Sequence, residues 1–137
     1  MVGYRATWLE ELVELEIAVR RLSAATVVAV AGEVDVFTAP QLDSLLAGEI
    51  EAGHTTLVLD FTRVEFLDST GLGVVVKAIK SCRAASGSVS VVVTTDRIRR
   101  IFEITGLDST IRLGASLAEV TAAQSSDGGE SDQVVDG

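Results

Sequence analysis

The sequence predicts an α/β domain: a mixed β-sheet of four to five strands with about four helices, opening with a β-hairpin. Three observations predict it. Short β-branched runs alternate with amphipathic stretches from Thr38 onward, which implies parallel strands joined by helical crossovers. The first two strand-like runs are separated only by Ser23-Ala24-Ala25, too short for a crossover, so they pair as a hairpin. The chain has 137 residues and 47% apolar content, enough to bury one domain's core without metal or disulfide.

Taken in order, Val13, Leu15, Ile17 and Val19 alternate with Glu14, Glu16, Ala18 and Arg20, a strand with one wet face. Leu9, Leu12 and Val13 also suit a helix, so the start of this strand stays open. Thr26 to Ala31 is a second, β-branched strand. Thr38-Ala39-Pro40-Gln41 reads as a helix start, with Thr38 as cap, Pro40 in the first turn and Gln41 completing a capping box. Leu42, Leu45, Leu46 and Ile50 line one helix face, and Gly53 supplies a left-handed stop. Thr56 to Phe61 reads as a short buried strand followed by a loop. Leu72, Val75, Val76 and Ile79 mark a second helix at i, i+3, i+4, i+7. Val89, Val91 and Val93 alternate as a strand. Asp96 opens a third helix with Ile98, Ile101 and Phe102 inward and Gly106 at its end. Ile111 and Leu113 form one more short strand, and Ala115 to Ala123 a last helix.

Charge narrows function by exclusion. Eleven basic residues stand against 20 acidic ones, a net charge of −9, which disfavours direct nucleic-acid binding because phosphate contacts need cations. One cysteine, Cys82, and one histidine, His54, leave no disulfide, no metal set and no basis for a cofactor. No apolar run reaches the roughly 18 residues of a membrane span. Acids at Glu10, Glu11, Glu14 and Glu16 interrupt any signal-peptide pattern, so a cytoplasmic location is expected. Residues 77–100 hold six bases and one acid, a basic stretch whose ordinary reading is a solvated face. Residues 124–137 hold four acids and no base and read as a disordered acidic tail. The expected layout is an N-terminal extension over 1–11, one domain over 12–123 and the tail.

The sharpest local feature is Asp68-Ser69-Thr70-Gly71-Leu72-Gly73, between a strand and an amphipathic helix. By itself it is a capped helix N-terminus, with glycines that let another backbone come close. Such caps are common, and the letters alone favour that plain reading. Its setting adds weight. Gly32-Glu33-Val34-Asp35 precedes a helix. Thr56-Leu57-Val58-Leu59-Asp60-Phe61 and Val64-Glu65-Phe66-Leu67 lead into the motif, and Arg100-Ile101-Phe102-Glu103-Ile104-Thr105-Gly106-Leu107 follows later.

This ordered set resembles the bacterial anti-sigma factor antagonists (anti-anti-sigma factors), stand-alone STAS domains, from about Val13 to Ala122. The resemblance implies a binding protein, not an enzyme, acting by partner switching in transcription regulation. Its unphosphorylated form would bind an anti-sigma factor that is also a serine kinase, releasing the sigma factor. Phosphorylation of the serine after the motif aspartate, here Ser69, would abolish binding, and a PP2C-type phosphatase would reset it. Thr70 is the rival acceptor. The resemblance also places Glu33 and Asp35 beside the acceptor, with Asp68, Ser69, Thr70, Gly71, Leu72 and Gly73 forming the rest of the partner surface. An acidic neighbourhood of Asp68, Glu65 and Asp35 is expected, into which phosphate adds about −1.5 to −2 charge.

Other readings are weaker. A STAS subunit of a transport complex or a stress-signalling scaffold would share the fold. A serine hydrolase lacks partners for the serine, since His54 falls in a polar turn. Leu107-Asp108-Ser109-Thr110 repeats the letters of Leu67 to Thr70 without the glycines and reads as a turn. Cys82, seven residues past Val75, reads as a buried thiol on the helix's inner face. Tyr4 and Trp8 belong to the extension, outside the resemblance.

Overall fold

The structure, a computed structural model, describes residues 15–121. The extension, the Val13 start of the first strand and the acidic tail lie outside the described residues. Strand β1 (Glu16–Arg21) pairs antiparallel with β2 (Thr26–Val34) as the expected hairpin. Helix α1 (Ala39–Glu51), β3 (Thr56–Leu67), α2 (Ser69–Ala84), β4 (Ser88–Val92), α3 (Asp96–Ile104) and β5 (Arg112–Gly114) follow. A short 3-10 turn over Leu107–Ser109 precedes β5, and residues 117–121 are helical.

The strands lie side by side in chain order, β1-β2-β3-β4-β5, and every pair after the first is parallel. Right-handed crossovers that always step the same way place their helices on one face. That face holds the main core. Val28, Val30, Leu57, Leu59, Val89 and Val91 pack there against Leu42, Leu46, Val75, Ile79, Ile98 and Phe102. Phe61 and Phe102 meet with ring centroids 6.5 Å apart. On the opposite face Val27, Val58 and Val92 pack against Val120.

Several local expectations hold. Gly53 adopts φ +99° and Gly106 φ +79°, the left-handed geometry that ends a helix without a side-chain clash. Cys82 is fully buried, and burial pushes its thiol pKa up. Ser109 and Thr110 donate back to the carbonyls of Gly106 and Leu107, so the repeated Asp-Ser-Thr is a turn. His54 follows Gly53. Its Nε2 accepts from Arg21 (3.2 Å), and Glu49 lies 2.9 Å from Nδ1 without the alignment of a hydrogen bond.

Four expectations are corrected. β3 does not stop at Phe61: it continues through Val64-Glu65-Phe66-Leu67, where a loop was expected, and keeps pairing with β2 across two register shifts. β1 lies at the edge of the sheet, so Val19 stays 36% exposed. β4 is buried on both faces, Ser90 and Val92 included, because it runs between two parallel neighbours. The capping box is not made: Thr38 makes no cap bond into α1. Its hydroxyl donates to the Glu33 carbonyl (2.7 Å) and accepts from Asp35 N–H (3.0 Å). Gln41 instead bridges the Leu15 backbone, accepting from its N–H and donating to its carbonyl, both at 3.0 Å.

Candidate functional site

Parallel strands deliver their following loops to one edge of the sheet, and this edge carries the candidate residues. Val34 and Leu67 are register partners at the ends of β2 and β3. The residues just beyond them, Asp35 and Asp68, therefore emerge side by side. Asp68 N–H donates to the Val34 carbonyl (3.1 Å) and ties the start of α2 to the end of β2.

Asp68 is the N-cap of α2, in extended conformation, and its Oδ1 accepts from Gly71 N–H at 3.0 Å. This satisfies one of the helix's free donors, a bond worth about 1 kcal/mol against Ala. Ser69 and Thr70 are the first two helical residues, and both are exposed. Neither hydroxyl has a hydrogen-bond partner among the described residues. A helix N-terminus tolerates an anion, since unbonded N–H groups and the dipole favour it.

The two glycines do different work. A Cβ on Gly71 would lie 2.6 Å from Val34 Cγ1, 2.8 Å from Leu67 Cδ1 and 2.9 Å from the Val34 carbonyl. Gly71 is buried and lets α2 dock on β2. A Cβ on Gly73 would meet nothing within 4 Å, so packing within the domain does not require glycine there. Leu72 is half-buried and packs against the main core.

Asp35 organises the loop before α1. Its Oδ1 accepts from Phe37 N–H (2.9 Å) and Thr38 N–H (3.1 Å), an Asx-type turn. The turn projects Val36 and Phe37 outward, 56% and 73% exposed. Glu33 is exposed and stands opposite Phe66, itself 46% exposed. Sequence reasoning missed these apolar residues. The available signal was an apolar Val36-Phe37 pair falling between strand and helix, where neither period explains it.

The expected acidic character is diluted by its neighbours. Phe37, Val36 and Phe66 are apolar, and Arg97, near the start of α3, donates to the Glu65 carbonyl at 2.8 Å. The edge is a mixed apolar and charged surface. Because strand order never reverses, there is no crevice between diverging helices of the kind that holds small ligands in open α/β sheets. Among the described residues no cluster of His, Cys, Asp or Glu is arranged to hold a metal ion. No helix there is long and apolar enough to cross a membrane.

A single mixed sheet with a β-hairpin start, one helical face and a capped Asp-Ser-Thr-Gly helix start defines a STAS domain. The STAS domain family matches residues 16–120, and the chain belongs to that family. The chain is 42% identical over 85 residues to the anti-sigma-B factor antagonist of Listeria monocytogenes, covering 61% of this chain and 74% of that one. It is 38% identical over 80 residues to the protein of that name from Staphylococcus aureus, covering 58% and 74%. The crystal structure of an anti-sigma factor antagonist from Mycobacterium paratuberculosis superposes with a TM-score of 0.71 at 29% identity, over 80% of this chain and 92% of that one.

Proposed function

We propose that this chain is a cytoplasmic anti-sigma factor antagonist of a bacterial partner-switching pathway. Its unphosphorylated form binds an anti-sigma factor that is also a serine kinase, and Ser69 is the residue that kinase modifies. The observation that carries the reading is the placement of Ser69. Its hydroxyl is unbonded and exposed at the first residue of a docked helix, on the edge that also presents Val36, Phe37 and Phe66.

The chemistry follows from that placement. Exposed aromatics ringed by polar groups suit a protein partner, since such residues supply most of an interface's energy. Gly73 leaves the first turn of α2 bare, so the partner's backbone can approach. Phosphate on Ser69 adds about −1.5 to −2 charge to a surface already holding Asp68 and Asp35. The helix start accommodates the dianion in the free protein, so the fold is kept. Binding would then require burying that charge beside two carboxylates. At an effective dielectric near 20, one unit charge about 6 Å from another costs about 3 kcal/mol, roughly a hundredfold in affinity. A PP2C-type phosphatase would restore the binding form.

Incubating the chain with its cognate kinase and ATP, then mapping peptides by mass, tests the assignment. Phosphate is expected on Ser69. Phosphate on Thr70, on Ser109 or on no residue of the motif overturns it.

A further inference from the structure

We propose that the N-terminal segment of this chain, residues 1–14, folds over the open half of the sheet's second face and seats Trp8 in the cleft there. The need for a cover comes from topology. All three crossover helices lie on one face, yet parallel strands are stable when both faces are covered. Val120 and Leu117 cover the second face only over Val27, Val58 and Val92.

The other half of that face, toward the edge that carries Ser69, is left to small side chains. Ala18, Ala29 and Ala31 floor it with Asp60 and Thr62. Their size leaves a cleft of about 500 Å³ rimmed by Glu65, Thr95 and Arg97. A second hollow of about 160 Å³ shares Glu16, Ala31, Thr62 and Arg63 with it. Glu16, which lines both, is the first residue of β1. The chain before it thus arrives at the cleft itself. Leu15 is buried, with its N–H and carbonyl both held by Gln41, so the point of arrival is anchored.

Length and pattern suit the segment to the site. Trp8 stands seven residues before Leu15, a reach of about 10 Å if helical and about 23 Å if extended. Either spans the cleft. Trp8, Leu9, Leu12 and Val13 recur at spacings of four, the apolar stripe of a helix, with Glu10, Glu11 and Glu14 between them. Charge agrees. Arg97 spends its guanidinium on the Glu65 carbonyl and has no carboxylate partner among the described residues. Arg63 meets only Glu16, at 3.8 Å and largely exposed. Two cationic groups thus stand at the rim for an acidic segment, against Glu16 and Glu65. A tryptophan buries about 150–250 Å² on such a surface, which bare alanines cannot use otherwise.

Trp8 is the only tryptophan in the chain, so the intact protein reports on the proposal directly. Native emission should lie to the blue of the urea-unfolded chain and resist acrylamide quenching. Ala31→Arg, which fills the cleft, should abolish the blue shift while far-UV circular dichroism stays native. Should that variant not fold, Trp8→Ala in the full chain gives the second readout: NMR shift changes concentrated at Ala29, Ala31 and Thr62. Emission and quenching equal to the unfolded chain overturn the proposal. So do a blue shift lost on dilution, which assigns the cleft to a second copy, and Trp8→Ala shifts confined to other residues.

Discussion

Replacing each glycine of the motif by alanine separates what the fold needs from what a partner needs. At Gly71 the new methyl would fall within 2.9 Å of three atoms. One is the Val34 carbonyl, which also accepts the Asp68 N–H that docks α2. Relief requires moving backbone. Overpacking of this kind costs about 1–3 kcal/mol, and weakening the docking bond adds about 0.5–1.5 kcal/mol. Against this, alanine regains about 1 kcal/mol of helix propensity. Gly71→Ala should therefore lose about 1–3 kcal/mol. At Gly73 nothing lies within 4 Å, so only the propensity gain remains. Gly73→Ala should gain about 1 kcal/mol, raising Tm by about 4 °C for a domain of this size. Yet its affinity for the anti-sigma partner should fall at least about tenfold, the effect of a contact worth about 1.4 kcal/mol. Urea denaturation followed by circular dichroism, paired with calorimetric titration of the partner, measures both. A stabilised Gly71→Ala would refute the docking account. A Gly73→Ala that binds as tightly as the parent would remove Gly73 from the interface.

Further outcomes follow from the same geometry. Asp68→Ala should cost about 1 kcal/mol through loss of the cap, whereas Asp68→Asn, which keeps an acceptor, should stay within about 0.5 kcal/mol of the parent in thermal melts. Phe37→Ser should leave stability within about 0.5 kcal/mol, because the ring is 73% exposed. It should also cost at least about 1 kcal/mol of partner binding, read by titration. Gln41→Ala strips both bonds from the Leu15 backbone and should lower stability by about 1–3 kcal/mol, with faster amide exchange at Leu15. Cys82 is buried and its thiol pKa is raised, so it should resist alkylation in the native chain and react on unfolding. The sign of the accompanying pH effect is fixed. The unfolded thiol loses its proton near 9.0 while the folded one keeps it, so stability should decline as pH rises past that value.

Local signals were the legible ones. Element order, the stops at Gly53 and Gly106, the Asp68 cap and the burial of Cys82 all depend on neighbours within a turn or two, and the pattern of residues shows them. The extension of β3 was hidden because Arg63 and Glu65 break the apolar run and the pairing with β2 shifts register twice. Thr38 and Gln41 match a capping box in letters. The Glu33 carbonyl and the Leu15 backbone, one five residues away and the other 26, compete for their side chains and win. The apolar patch was hidden for the opposite reason. Phe37 and Phe66 read as core by type, and only the pairing of β2 with β3 shows that they stand at the sheet's edge. Ile104, though 76% exposed, lies at the far end of α3 and belongs to no such group.

The claim that one hydroxyl governs binding is tested most directly by titrating the anti-sigma partner with three forms of the chain: unmodified, phosphorylated on Ser69 and Ser69→Ala. The account predicts near-equal affinity for the unmodified and alanine forms, and a loss of about a hundredfold or more for the phosphorylated one, with all three equally folded. Equal affinity across the three forms would contradict it.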